Sequence, residues 1–399
     1  VELLVVQPLG EVGKYGGSLR ALVPEPKAWC CAAVVMGGNA MAMRSPDFKS
    51  IVPNVVKGWE LSDDYKELVV HMRKGLKWSD GSPMTTEDVK FWYEDVFLNE
   101  DLTPQINKKW TAGGEPLEIV VDNDYTFRVK FAVPYPVIVD YLPTFGPWAP
   151  KHYMAQFHIK HNEKANEVAK KEGYEFWYES YEYHSSGGWE QQDADYPTLG
   201  AWIFESEDTL GNRKNVRNPY YWKVDTEGNQ LPYCDYADRY VAENREVLDA
   251  KTMAGEGTHA SWYLALANYS LYKQNEEKGG YTAGLYPDTR ASEYGLAFNY
   301  SHKDPVLREL FQKKEWRMAM SQAINREEMK ELIFAGLGVA RQPIADPGCT
   351  FYEEGIDQYY IEYDVDKANA LLDGLGLKWD SEHEVRQRPD GKPLNLTLE

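Results

Sequence analysis

The sequence predicts an α/β protein of more than one lobe, on three observations. Its 399 residues exceed the size at which one hydrophobic core keeps growing, so the chain is expected to divide. Residues 68–73 alternate as a strand, Leu68, Val70 and Met72 against Val69, His71 and Arg73. A helix with a marked start follows. Thr85 can cap the amide of Asp88 while the Asp88 side chain reaches back, and Met84 can pack on Val89.

Between that strand and helix, Gly75, Asp80-Gly81 and Pro83 supply turn chemistry. Val89, Trp92, Tyr93, Val96 and Phe97 then recur on one face, which predicts a helix over 86–97. Upstream, a loop over 10–17 leads into a strand at Ser18–Val23, followed by the Pro-rich run Pro24–Cys31. Downstream, strands at 117–121 and 125–131 flank Asp122-Asn123-Asp124 as a hairpin. Residues 155–195 read as an insertion rich in charge and rings, with a helix near 162–172. Its Phe176, Trp177, Tyr178, Tyr181 and Tyr183 either pack on one another or wall a ligand.

In the last third, Gly295–Asn299 (GLAFN) predicts a strand, and Trp316–Arg326 carries two helices. Asn325 can cap the second of these with Glu328 in a capping box, and Gly336 ends it. Residues 364–372 give a further helix, with Leu371 and Leu372 inward. The run Leu394–Glu399 (LNLTLE) alternates as a strand that needs partners, so the sequence is expected to be a fragment that lacks part of its second lobe.

Composition excludes some functions. A net charge of −20 argues against nucleic acid and against an anionic membrane surface, both of which need a basic face. The four cysteines, Cys30, Cys31, Cys234 and Cys349, form no Cys-x-x-Cys pair, and buried free thiols are expected. His158 and His161, three apart, could share a metal. No acidic or thiol ligand at a recognised spacing joins them, so a solvated polar face is the reading adopted. No phosphate loop, dinucleotide loop or nucleophile elbow occurs, so no catalytic residue, metal or cofactor is assigned. The run Trp29–Met43 is too short to cross a bilayer, and Val1 is expected to be a processed or trimmed start.

The wording of the central stretch is specific. Arg73, Gly75, Trp78, Asp80, Gly81, Thr85, Glu87, Asp88 and Val89 together resemble the extracytoplasmic solute-binding proteins of peptide-type ABC importers, the dipeptide, oligopeptide and nickel-binding relatives. Asn218–Trp222 (NPYYW) and Trp316–Arg326 (WRMAMSQAINR) are similar to two further motifs of that family. The resemblance implies a two-lobed fold of the type II periplasmic-binding-protein kind with an extra subdomain on the first lobe. It implies residues 1–45 as the first part of that lobe and 46–195 as the extra subdomain with its insertion. Residues 196–254 would complete the lobe, and 255–399 would form an incomplete second lobe.

The function so implied is capture of an oligopeptide or, given the rings, an oligosaccharide outside the membrane, for delivery to an ABC permease. The protein would be a monomer, periplasmic or extracellular, with a lipid anchor as an option. Ligand-binding candidates are Glu25 and Trp29, after the first strand, and Trp262 and Tyr263, where relatives cross between lobes. Each tryptophan serves either as a stacking platform or as core. Competing classes are a polysaccharide-acting enzyme, supported only by acidity and rings, and a chemosensory receptor on the same scaffold.

Overall fold

The computed structural model describes residues 1–8, 10–26, 39–47, 49–185, 192–260, 263–285, 295–344, 347, 349 and 352–397. The chain divides into two compact units, Val1–Leu264 with Asn275–Tyr281, and Ala265–Gln274 with Thr282–Glu399.

In the first unit the alternation at 68–72 becomes the strand Glu67–Met72, with Leu68, Val70 and Met72 buried. It lies inside a four-stranded antiparallel sheet, between Val56–Leu61 and Thr126–Lys130, with Glu118–Asn123 at one edge. The expected hairpin is present, and Asn123 Oδ1 accepts from the Tyr125 amide at 3.0 Å across its turn.

The helix Thr86–Phe91 starts on a complete capping box. Its Asp88 carboxylate does more than cap. It is 4% exposed and accepts from the Thr85 amide at 3.1 Å, the Trp78 indole at 3.2 Å and the Lys151 amide at 3.0 Å. Burial pushes its pKa above the usual carboxylate range, against the pull of these donors. Met84 and Val89, the expected apolar pair at the helix start, are both fully buried in the same core.

The helix does not stay α-helical to Phe97 as the periodicity predicts. From Trp92 to Phe97 it widens into a π-helical turn. One extra residue per turn stacks Trp92 on Phe97 at 5.0 Å between centroids and brings Asp95 into the buried set.

Asp95 explains a second departure. His158 is not on a solvated face: it is 1% exposed. Its Nδ1 accepts from the Lys160 amide at 3.2 Å, which leaves Nε2 to donate to the Asp95 carbonyl at 2.9 Å. His161 and Lys160 meet the Asp95 carboxylate at 2.7 and 2.5 Å. A buried carboxylate requires such partners, and His161 and Lys160 supply them while His158 holds the backbone carbonyl. Behind them the helices Ala165–Glu172 and Trp177–Ser185 pack a satellite core of Phe91, Met154, Phe157, Trp177 and Tyr181.

The second sheet of this unit runs Trp202–Glu207, Arg213–Arg217, Tyr236–Val241, Ser18–Val23, the last pair parallel. Beside it Trp222, 1% exposed, lies between two cations. The Arg73 guanidinium is 5.7 Å and Lys223 Nζ 5.2 Å from its ring.

The second unit is helical among its described residues: Pro305–Gln312, Lys314–Gln322, Arg326–Phe334 and Val365–Gly374 around Leu310, Phe311, Trp316, Ala319 and Leu372. Asn325 caps its helix through the Glu328 amide at 3.1 Å, but the Glu328 carboxylate returns to the Asn325 side chain rather than to its backbone. Ala335, at φ 52°, takes the left-handed stop one residue ahead of Gly336. The two apolar runs expected as strands, 295–299 and 394–397, are not strands. A strand exists only with a ladder partner, and among the described residues neither run has one. Cys234 and Cys349 are free thiols, though only partly buried rather than buried as expected; Cys30 and Cys31 lie outside the described residues.

Two outcomes are expected here. Asp88→Ala strands three donors in the interior and should cost about 3 kcal/mol or more, read as a fall in the denaturant midpoint. Glu87→Ala, which removes only the exposed pair with Lys151, should cost well under 1 kcal/mol.

The other concerns Lys223, 8% exposed. Burial first, and Arg73 second, push its pKa down to about 8. The folded state therefore favours the neutral amine. Its penalty is full below about pH 8 and is relieved as pH rises from there to the ordinary lysine value of 10.5. Lys223→Met should raise the melting temperature at pH 7, and the gain should shrink towards pH 10. An equal gain at both pH values would contradict this.

Candidate ligand-binding site

In sheets with parallel strands, ligands collect beyond the carboxyl ends of those strands, where the loops diverge. Here the parallel pair ends together, Val23 beside Val241. Beyond Val23 come Pro24, Glu25 and Pro26; beyond Val241 the chain reaches Asn244, whose side chain caps the helix Arg245–Met253 through the Val247 amide at 2.9 Å. A third segment joins them. Thr258 exchanges hydrogen bonds with Arg20, its amide donating to the Arg20 carbonyl at 2.9 Å and its hydroxyl accepting from the Arg20 amide at 2.7 Å. At Gly257 a Cβ would come 2.8 Å from Leu22 Cγ, so the close approach suits glycine.

Glu25 is exposed at the mouth of this end. Tyr263 comes to the same end but faces inward, packed on Ala21, Val23 and Val241 and on Leu22, Ala242 and Leu248. The Arg245 guanidinium lies 5.9 Å from its ring centroid. Trp29 and Trp262 lie outside the described residues.

Sequence reasoning missed the turn that roofs this end. Asp208 accepts from the amides of Leu210 and Asn212 at 2.9 Å each, and from the Asn212 side chain at 2.8 Å. Asn212 Oδ1 in turn takes the Val241 amide at 2.8 Å. Buried Arg239 donates to the Gly211 carbonyl at 2.7 Å and to Glu207 at 3.0 Å. Gly211, at φ +83°, sits so close to Pro26 that a Cβ would fall 2.5 Å from it. A signal was available: the same Asp-Thr-x-Gly-Asn wording recurs at Asp225–Asn229. There Asp225 makes the equivalent bonds to Asn229 and adds the Tyr233 hydroxyl.

The arrangement leaves Glu25 exposed beyond the strand ends with Tyr263 packed beneath them, and among the described residues here no nucleophile is paired with a base. The fold class is that of the type II periplasmic binding proteins. The chain belongs to the bacterial extracellular solute-binding proteins, family 5, whose family model matches residues 50–399.

Among curated relatives it is similar to a periplasmic alpha-galactoside-binding protein of Rhizobium meliloti, 27% identical over 96% of this chain and 56% of that protein. Among solved structures it is similar to an oligopeptide-binding protein OppA, 34% identical with a TM-score of 0.75, over 98% of this chain and 62% of the other. A periplasmic binding protein from Agrobacterium fabrum in complex with stachyose shares the fold at a TM-score of 0.71 and 23% identity, over 96% of this chain and 59% of that one. The chain thus spans a little under two thirds of the length of these relatives.

Tyr263→Ala should lower stability by about 1–3 kcal/mol, since it removes a packed ring from the strand ends. Glu25→Ala should stay within about 0.5 kcal/mol of the parent. Melting curves of the two variants check the pair; the reverse order would show that Tyr263 is no packing residue.

Proposed function

We propose that the protein captures an oligopeptide or an oligosaccharide outside the cell membrane and delivers it to an ABC permease without changing it chemically. The observation that carries this reading is the family match over 50–399. The names of relatives support both ligand classes, alpha-galactoside and stachyose on one side and oligopeptide on the other. Residues at the strand ends support capture rather than turnover, because Glu25 and Arg245 can orient a solute over the packed Tyr263 but include no activated nucleophile. Periplasmic or extracellular placement, a lipid anchor and a monomeric state are parts of the same proposal.

Calorimetric titration with short peptides in parallel with raffinose and stachyose tests it. Saturable binding of one class, with the solute recovered intact by mass spectrometry, is the expected result. Release of hydrolysis products, abolished by a single carboxylate substitution, would replace capture with catalysis.

A further inference from the structure

The second unit contains an open cavity of about 1150 Å³ between the 295–300 segment, the helices Lys314–Gln322 and Arg326–Phe334, and the 337–343 segment. Leu296, Phe298, Met320, Ile324, Met329 and Phe334 make much of its wall. Methionines of this kind adapt to irregular apolar shapes. Its charge is one-sided. Lys314, Arg317, Arg326, Lys330 and Arg341 line it with no Asp or Glu among the lining residues, in a chain that carries 63 acidic against 43 basic residues.

Two of these cations are matched from outside the cavity, Lys330 by Glu327 at 2.5 Å and Arg341 by Asp357 at 3.7 Å. Lys314 and Arg317 are not, and Arg326 has only the more distant charge of Glu362. Arg317 donates to the carbonyls of Phe311 and Gln312 at 3.3 and 3.0 Å. Arg326 donates to the Ser321 carbonyl and hydroxyl at 2.7 and 2.8 Å. Lys314 Nζ lies 5.8 Å from the Tyr360 ring centroid. Among the described residues, no carboxylate lies within 4.0 Å of any of the three.

Lys314 is exposed and Arg317 half-buried, so both charges stay hydrated beside the apolar wall and are open to an incoming anion. Lys314 and Arg317, one turn apart at the start of their helix, present that charge on one face, where the helix dipole also favours an anion. We propose that this cavity binds an amphipathic organic anion. A carboxylate or sulfonate would meet Lys314 and Arg317, and an apolar body would lie along Phe298, Met329 and Phe334. A neutral sugar would leave both the charge and the apolar wall unused, and the cavity is lined by the second unit alone, whereas Glu25, Arg245 and Tyr263 belong to the first.

The test is a fluorescence titration of the 399-residue chain with cis-parinaric acid and its uncharged methyl ester, below micellar concentrations. The acid should bind saturably at micromolar concentration and the ester at least ~10-fold more weakly, since a lost charge-assisted contact is worth roughly that factor. The double variant Lys314→Ala/Arg317→Ala should weaken the acid to the level of the ester. Should that variant melt early, Val339→Glu is the second probe: Val339 lines the cavity and is 79% exposed, so a carboxylate there should repel the acid alone. Absence of saturable binding, equal affinity for acid and ester, or acid binding indifferent to Val339→Glu overturns the proposal. So does a light-scattering mass of two chains that returns to one in Val339→Glu, which would assign the face to a second copy.

Discussion

Much of the first unit depends on one buried carboxylate. Asp88 joins three parts of the chain: the Trp78 turn and the start of the helix at Thr85, both near it in sequence, and the chain entering the insertion at Lys151, 63 residues on. Each partner is a donor that the interior would otherwise leave unsatisfied, and the carboxylate is itself tolerable in the interior only because it has all three. The Ala149 amide adds a fourth tie, to the Asp88 carbonyl at 3.3 Å. The turn, the helix and the insertion therefore share one anchor, which makes it intelligible that the most recognisable wording of the chain clusters here.

The same logic recurs on a smaller scale in two turns, one within the second sheet and one after the short strand Lys223–Val224. Asp208 and Asp225 each fold the following four residues around their own oxygens, and Asp225 is held down to about pKa 2. Burial there would raise it, but the Tyr233 and Asn229 donors outweigh that effect. Such turns need little from the rest of the protein. The Asp208 turn, through Asn212 and the Val241 amide, fixes the end of the parallel pair by local bonds, which is the pre-organisation a capturing site requires.

Legibility in the sequence followed the range of the interaction. The capping box at Thr85 and Asp88 was readable because its partners are three residues apart, and the strand at 68–72 because alternation is local. The inward turn of His158 was not, because Asp95 is 63 residues away. Nor was the π turn, since Trp92, Tyr93, Val96 and Phe97 satisfy an α-helical face equally well. At the candidate site, the strand ahead of Glu25 was legible from local pattern. The packing of Tyr263 was hidden because it needs Val241 and Leu248 from another part of the chain. The strand expected at 295–299 shows the converse limit: alternation predicts a tendency, and the ladder decides.

The π turn at Trp92–Phe97 also has a mechanical side. A helix can absorb a single inserted residue as one wide turn, leaving both flanks in their old orientation. The buried Asp95 sits in that wide turn and holds Lys160 and His161, so the residue count of this helix and the anchoring of the aromatic insertion are mechanically coupled: deleting one residue from the turn would rotate Asp95 off its partners.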